Sequence, residues 1–137
     1  MKLWAYVIMP EHVRLIIQPG IEETLVSKFL AAAKEPVARK AVKRLKSTNS
    51  AWLDRIAVQE GDRLRHRFWQ PGGGYDRNIT CSETLRLMIE YIHANPFRRG
   101  LVEDVLKWQW SSAMWFAGMR PCKLEMDVSV LEVLASG

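Results

Sequence analysis

One short segment of this chain carries side chains that could do nucleophilic and phosphate-binding chemistry. Tyr91 offers a phenol hydroxyl, and Asn95 offers an amide four residues later, which places both on one face of a helix. The proline at position 96 is expected to end that helix, and Arg98 and Arg99 follow it. The segment therefore combines a candidate nucleophile, a candidate metal ligand and a candidate phosphate clamp.

A helix over residues 80–96 must position these groups. Thr80 and Glu83 have the spacing of a capping box at its start. Its buried stripe repeats at i, i+3, i+4 and i+7 and comprises Leu85, Met88, Ile89 and Ile92. Tyr91 lies off that stripe, and His93 points away from Tyr91. We therefore assign His93, and likewise His66 among its arginines, to structure or phosphate contact.

The first 20 residues are predicted to form a β-hairpin. Residues 3–9 and 12–18 read as two strands, with a turn at Pro10 and Glu11. Because side chains alternate along a strand, His12 and Arg14 share one sheet face. Two polar groups thus stand side by side on an otherwise apolar strand.

The middle of the chain predicts further helices and a strand. Helical spacing begins near residues 21–23, and Pro36 is expected to interrupt it before a basic helical stretch at 37–46. Residues 47–62 are predicted to be a loop or short helices. Residues 63–70 read as a strand that ends in the glycine-rich turn at 71–74.

The C-terminal extension, residues 97–137, contains three tryptophans that we interpret as packing groups over an edge of the core. Residues 127–134 read as a final amphipathic helix.

A length of 137 residues fits one domain over residues 1–137. The triple glycine at 72–74 is not a nucleotide-binding loop, because it lacks the lysine and hydroxyl residue that such a loop needs.

Composition excludes some classes of protein and favours polyanion binding. Hydrophobic residues make up 48% of the chain, yet no run is long enough to cross a membrane and no secretory signal is recognised at the start. Cys81 and Cys122 lie far apart without a metal-binding pattern, which indicates reduced thiols in a cytosolic protein. Twenty basic against fifteen acidic residues give a net charge of +5.

Four ordered segments resemble REP-associated tyrosine transposases, which belong to the single-tyrosine HUH transposases, the insertion-sequence-200-like enzymes that cut and rejoin single-stranded DNA. The segments are YVIMPEHVRL at 6–15, FWQPGGGYDRN at 68–78, YIHANP at 91–96 and WQWSS at 108–112. Together they extend over most of the chain. The resemblance implies an α+β fold: a ferredoxin-like antiparallel sheet with helices on one face.

The resemblance also implies a site. In this family two histidines that flank one hydrophobic residue bind Mg²⁺ or Mn²⁺ with a third ligand from the tyrosine helix, and the tyrosine attacks the phosphate polarised by the metal. Tyr91 would be the catalytic nucleophile, and His12 and Asn95 would be metal ligands. The chemistry is consistent, because a phenol is a poor nucleophile until a cation stabilises its phenolate.

Arg14 occupies the position of the second histidine. An arginine remains positively charged and cannot coordinate a cation, so metal binding would be weakened or lost unless another group replaces the ligand. Glu11 is one candidate for that replacement. Alternatively, Arg14 holds the phosphate itself through bidentate hydrogen bonds.

A second departure concerns the start of the chain. The family's additional N-terminal strand and helix are lacking before the hairpin, which would leave a sheet edge uncovered and favour a homodimer. A truncated element and a wrongly assigned start codon both explain this departure.

Positive and aromatic side chains supply candidate DNA contacts. Single strands bind where cations alternate with stacking surfaces. We assign this role to Arg14, Arg65, Arg67, Trp69, Arg77, Arg98 and Arg99. The basic face at residues 39–46 is either a solvated helix face or a DNA backbone contact.

These observations lead to two functional hypotheses. The first is a cytoplasmic, nucleoid-associated prokaryotic protein that cleaves and rejoins single-stranded or hairpin DNA through a 5′-phosphotyrosine formed by Tyr91. The second is an inactive protein that keeps hairpin binding as a relic or regulator. A ferredoxin-like RNA-binding module is a third reading, which the absence of the expected aromatic-rich strand disfavours.

Overall fold

The computed structural model describes residues 1–20, 24–72, 74 and 76–137. The described residues form two small antiparallel sheets and five α-helices, which confirms the α+β class. In chain order the elements are β1 (Lys2–Ile8), β2 (Val13–Gln18), α1 (Thr24–Ser47), α2 (Trp52–Arg55), β3 (Ala57–Glu60), β4 (Arg63–His66), α3 (Ser82–Arg98), a 3₁₀ turn (Val105–Lys107), α4 (Ala113–Phe116) and α5 (Ser129–Ala135).

The chain divides into two compact units. One comprises Met1–Ile21 with Asn78–Gly137, and the other comprises Glu22–Arg77. Each sheet has two strands, β1 with β2 in the first unit and β3 with β4 in the second. One domain over the whole chain stays a prediction, as does a ferredoxin-like sheet without its N-terminal strand and helix.

The hydrophobic core of the first unit lies between β1, α3 and α5. Tyr6 and Val7 on β1 are fully buried, as are Leu85 and Ile92 on α3 and Val130 on α5. Burial of one such apolar side chain contributes about 1.5–3 kcal/mol. The predicted stripe on α3 is confirmed, with Met88 half-buried against the same core.

The edge of β1 that does not face β2 is covered by the C-terminal part of the chain. Ile8 N donates to Trp110 O at 2.8 Å, Ser112 N donates to Tyr6 O at 3.0 Å, and Asp127 N donates to Leu3 O at 2.8 Å. Buried backbone groups need such partners. The open sheet edge expected from the sequence is thus not found at β1, and the homodimer stays a prediction.

Helix α3 differs from its prediction at both ends. It begins at Ser82 with Cys81 as its N-cap, whose side chain makes no capping bond, so the predicted box at Thr80 and Glu83 was wrong. The carbonyl of Cys81 already accepts from Leu85 N at 3.0 Å, which sets the first turn one residue later. The helix also continues through the proline at position 96 to Arg98.

Gly100 ends α3 instead. Its φ is +67°, and its N–H donates to Phe97 O at 2.9 Å while Leu101 N donates to Pro96 O at 2.9 Å. These are the two bonds of a Schellman motif, which glycine favours because residues with a Cβ are strained at positive φ. Pro96 itself is buried, so packing stabilises the turn in which a backbone donor is missing.

In the second unit, α1 runs without interruption from Thr24 to Ser47, so the break predicted at Pro36 was wrong. Helix-forming alanine, lysine and arginine residues flank the proline on both sides and offset the lost hydrogen bond. The predicted helix start at residues 21–23 lies outside the described residues. So does Gly73, the middle of the predicted glycine-rich turn.

The sequence reading missed β3. Glu60 pairs with Arg63 across a two-residue loop in which Gly61 has a φ of +58°. A glycine and aspartate between two short strands is a hairpin signal, but four residues of β3 were too short to show a period. The strand predicted over residues 63–70 is confirmed only as far as His66.

The C-terminal extension agrees with its prediction at α5, where Val130 is fully buried. Of its tryptophans, Trp115 is buried and Trp108 packs against the core, but Trp110 is 42% exposed and is not a core residue. None of the helices in the described part of the chain is long and apolar enough to span a bilayer.

Candidate phosphate site at Tyr91

The hairpin turn between β1 and β2 positions the first group of candidate site residues. Met9 N donates to His12 O at 2.8 Å, which closes the turn around Pro10 and Glu11. Two residues further on, Arg14 pairs with Val7 of β1. Since paired residues in an antiparallel sheet share a face, Arg14 lies on the same face as the buried Val7, and Arg14 itself is half-buried.

Tyr91 lies beside two guanidinium groups. The guanidinium carbon of Arg14 is 5.0 Å from the centroid of the Tyr91 ring, and that of Arg98 is 5.3 Å from it. Arg98 reaches the ring because residues seven apart lie on the same helix face, whereas Arg14 comes from β2. Tyr91 is 37% exposed, so an external ligand can approach it.

Glu11 is held in an ion pair next to this site. Its Oε1 lies 2.6 Å from Nη1 of Arg99 and 3.6 Å from Nδ1 of His12. Glu11 and Arg99 are both largely exposed, so this pair contributes little to folding. Its consequence is electrostatic, because it neutralises one of the arginines predicted to contact phosphate.

His12 and Asn95 each have a buried nitrogen without a hydrogen-bond partner among the described residues. The atoms are Nε2 of His12 and Nδ2 of Asn95. A buried polar atom without a partner costs free energy, and an imidazole nitrogen in that condition is available as a ligand. Which amide atom of Asn95 occupies which position is an assignment, since oxygen and nitrogen are interchangeable by a flip.

Of the three-ligand metal site that the family resemblance implies, this chain offers His12 and Asn95, with Arg14 at the position of the third donor. Within the described ranges, no three His, Cys, Asp or Glu side chains converge on one point. The possible substitute ligand Glu11 is bound by Arg99, and the charged Arg14 lies on β2 two residues after His12, which belongs to the turn before that strand. Mg²⁺ favours oxygen ligands in near-octahedral geometry, and of His12 and Asn95 only the Asn95 amide supplies an oxygen.

His93 is a structural residue. Its Nε2 lies 2.8 Å from Oγ of Ser112, which also accepts from Tyr6 N at 2.9 Å and donates to Tyr6 O at 3.2 Å. One hydroxyl hydrogen and two lone pairs satisfy all three contacts when His93 is neutral and carries its proton on Nε2. Burial lowers the pKa of His93 to about 4, in agreement with a neutral ring.

Sequence reasoning missed the role of Ser112 and the ion pair of Glu11. The WQWSS segment drew attention for its tryptophans, yet its second serine joins α3 to β1. The two consecutive serines after the tryptophans were the signal available in the sequence. The Glu11–Arg99 contact joins distant parts of the chain, and no local pattern predicts it.

The other predicted DNA contacts lie in the second unit. Arg65 and Arg67 are exposed on or beside β4 and both pair with Glu60, Arg65 through Nε at 3.1 Å from Oε2. Trp69 is half-buried, and its Nε1 donates to Lys34 O at 2.8 Å. Trp69 therefore fixes the segment after β4 to α1, while Arg77 is exposed.

Comparison with known proteins gives a distant similarity. A curated protein of Haemophilus influenzae named "Putative REP-associated tyrosine transposase" is 27% identical over 108 residues. The match covers 79% of this chain and 56% of the relative, so the chain spans about half the length of the curated relative. No family model matches the chain. No solved structure shows significant similarity to it.

Proposed function

We propose that this protein is a transposase-like DNA-binding protein that holds a backbone phosphate of single-stranded DNA beside Tyr91. The observation that carries the proposal is the placement of two guanidinium groups, those of Arg14 and Arg98, at the ring of an exposed tyrosine. Guanidinium groups bind phosphate oxygens through paired hydrogen bonds, which suits them to a phosphodiester.

Charge and family similarity support the same proposal. The chain carries a net charge of +5, and a phosphate backbone attracts such a protein. The relative from Haemophilus influenzae is named as a tyrosine transposase, and the matched region includes most of this chain. The identity of the DNA, whether a plain single strand or a hairpin, belongs to the proposal.

The chemical step we propose is a transesterification at Tyr91. The phenol oxygen forms a bond to phosphorus while the bond from phosphorus to the 3′-oxygen breaks, which leaves a 5′-phosphotyrosine and a free 3′-hydroxyl. The phenol proton leaves to water at the exposed edge of the ring, and the 3′-oxygen takes up a proton. Arg14 and Arg98 would neutralise the charge that develops on the phosphate oxygens.

Attack by a strand's 3′-hydroxyl on the phosphotyrosine reverses these bond changes and rejoins the DNA. The energy of the broken phosphodiester is kept in the phosphotyrosine, so no nucleotide triphosphate is needed. We propose no step through a divalent cation, because Arg14 takes the position of one expected ligand and Glu11 is paired with Arg99.

A second candidate function is DNA-hairpin binding without cleavage. It is favoured by Arg14 at the position where the family resemblance expects a histidine, and by the capture of Glu11 in its pair with Arg99. Under this hypothesis Arg14 and Arg98 hold phosphate, and Tyr91 does not react. Both candidates use the same phosphate site.

The two candidates differ in whether a covalent adduct forms. We would incubate the protein with labelled single-stranded hairpin DNA taken from beside its own gene, with Mn²⁺, with Mg²⁺ and with a chelator. Denaturing gels then detect the protein–DNA adduct, and Tyr91→Phe is the matched control because it keeps the ring. An adduct that the native protein forms and that Tyr91→Phe does not form supports cleavage.

Absence of an adduct together with hairpin binding supports the second candidate. In that case Arg14→His should be tested with Mn²⁺, since it restores the ligand type that the family resemblance expects. Absence of both adduct and DNA binding would contradict the proposed function in either form.

A further inference from the structure

A groove next to the hairpin turn has the properties of a stacking site for a base. It has a volume of about 330 Å³ and is lined by Ile8, Met9, Pro10, Trp108 and Trp110. Small-molecule sites occupy roughly 300–1,000 Å³, so this groove has room for one flat ring system and not for a long segment. Its lining is apolar and aromatic throughout.

Trp110 is the exposed aromatic surface of this groove. It is 42% exposed, whereas its neighbour Trp108 is anchored by a bond from Nε1 to Ile8 O at 3.0 Å. The backbone of Trp110 is fixed as well, because its carbonyl accepts from Ile8 N at 2.8 Å. An exposed tryptophan on a fixed backbone gives a preformed surface, which reduces the entropy lost on binding.

A cation accompanies the tryptophan. Nζ of Lys123 lies 4.8 Å from the centroid of the Trp110 ring. A base that stacks on Trp110 carries its own phosphate, which Lys123 can then contact. An aromatic ring next to a cation is the combination with which proteins hold single-stranded nucleic acids.

The groove adjoins the phosphate site along the chain. Pro10 lines the groove, and the next two residues, Glu11 and His12, belong to the turn that contacts Arg99. One DNA strand can therefore engage both places, with a phosphate at Arg14 and Arg98 and a nearby base in the groove.

We propose that this groove binds a nucleobase of single-stranded DNA by stacking on Trp110, an inference that rests on the proposed function. Charge decides against a second copy of this chain as the occupant. Lys123 beside the Trp110 ring and the net charge of +5 favour a polyanion and disfavour another basic protein.

The test compares two oligonucleotides of equal length, one with ordinary bases and one with abasic residues throughout. Both present the same phosphates, so their difference in affinity reports base contacts alone. We expect the ordinary strand to bind about tenfold more tightly to the native protein, as one stacked base contributes. Fluorescence anisotropy of labelled strands measures both affinities.

Trp110→Ala should remove that difference and leave affinity for the abasic strand unchanged, and Trp110→Phe should keep most of it. Trp52→Ala is the matched control. Trp52 is 59% exposed and has the guanidinium of Arg55 at 4.7 Å from its ring, but it does not line the groove. This control should bind both strands as the native protein does.

Two results would overturn the base site while leaving the proposed function intact. The first is equal affinity of the native protein for both strands, and the second is unchanged base preference in Trp110→Ala. A change of oligomeric state in Trp110→Ala during sedimentation would assign the groove to a second copy instead. Failure of both strands to bind the native protein would overturn the proposed function together with this inference.

Discussion

The guanidinium carbon of Arg14 lies 5.0 Å from the centroid of the Tyr91 ring and thereby joins β2 to α3. Cation–π contacts at exposed sites contribute about 0.5–1 kcal/mol, so the contact orders both side chains without fixing them rigidly. Arg98 approaches the same ring at 5.3 Å. We propose that these two cations form a phosphate site beside Tyr91.

Glu11→Gln should tighten binding to single-stranded DNA by several fold. The carboxylate of Glu11 repels phosphate and holds Nη1 of Arg99 at 2.6 Å, so its neutralisation frees a cation. Glu103→Gln is the control, because Glu103 is almost fully exposed and makes only a 3.8 Å pair with Lys107. Affinities from anisotropy titrations check this, and weaker binding of Glu11→Gln would point to Glu11 as a ligand or positioning group.

The stability of the protein should fall as the pH is lowered from about 6.5 towards 4. Burial lowers the pKa of His93 to about 4 from 6.5, so the unfolded chain binds a proton that the folded protein excludes in this window. The free energy of unfolding lost across this window is up to about 3 kcal/mol, and the protein has its full stability from this source above pH 6.5. Denaturant midpoints measured between pH 4 and 8 give the dependence of stability on pH.

His93→Gln provides the comparison, since glutamine can still donate to Ser112 but does not titrate. We expect a lower stability for this variant at pH 7 and a weaker dependence on pH between 4 and 6.5. Equal slopes for the two proteins would show that other groups govern acid unfolding.

Gly100→Ala should destabilise the protein by about 1 kcal/mol, because alanine is strained at positive φ. The φ of Gly100 is +67°, and no atom lies within 4 Å of an added Cβ, so the cost is conformational alone. Arg99→Ala tests a neighbouring position with an ordinary φ of −87° and should cost less. Urea denaturation measures the stability of both variants. An unchanged stability of Gly100→Ala would show that the glycine at the C-terminal end of α3 does not stabilise the protein.

Cys81 should react with iodoacetamide faster than Cys122 at neutral pH. Cys81 is exposed, and its hydrogen bond with Oγ1 of Thr84 lowers the pKa of the thiol, which raises the fraction of reactive thiolate. Thr84→Val removes that hydrogen bond and should move the midpoint of alkylation to higher pH. Mass spectrometry of the labelled peptides separates the two cysteines, and an unchanged midpoint would exclude Thr84 as the cause.

The secondary structure that the sequence predicted well is the part with a clear period. The strands of the first hairpin and the stripe of Leu85, Ile89 and Ile92 follow alternation and helical spacing, and packing preserves both. Proline was the main source of error. Both Pro36 and Pro96 lie inside helices, because helix-forming neighbours in α1 and burial in α3 compensate for the missing donor.

The candidate site could be predicted as far as local periodicity reaches. Tyr91 and Arg98 lie seven residues apart on α3, as helical spacing predicts. Strand parity applies to Arg14 but not to His12, because β2 begins at Val13. The ion pair between Glu11 and Arg99 could not be predicted, because it joins the hairpin turn to the far end of a helix. The exposure of Trp110 depends on how its segment pairs with β1, and composition does not reveal such pairing.

Binding of single-stranded DNA by Arg14→Gln, Arg98→Gln and the double variant tests the phosphate site most directly. The titrations are done in a chelator over a range of salt concentrations, with Arg86→Gln as control, since Arg86 on the same helix bonds to Leu134 O. We expect each site variant to bind about tenfold more weakly, and the double variant to reduce the salt slope by about 1. Native-like affinity and salt dependence in the double variant, or loss of native binding in chelator, would contradict the account.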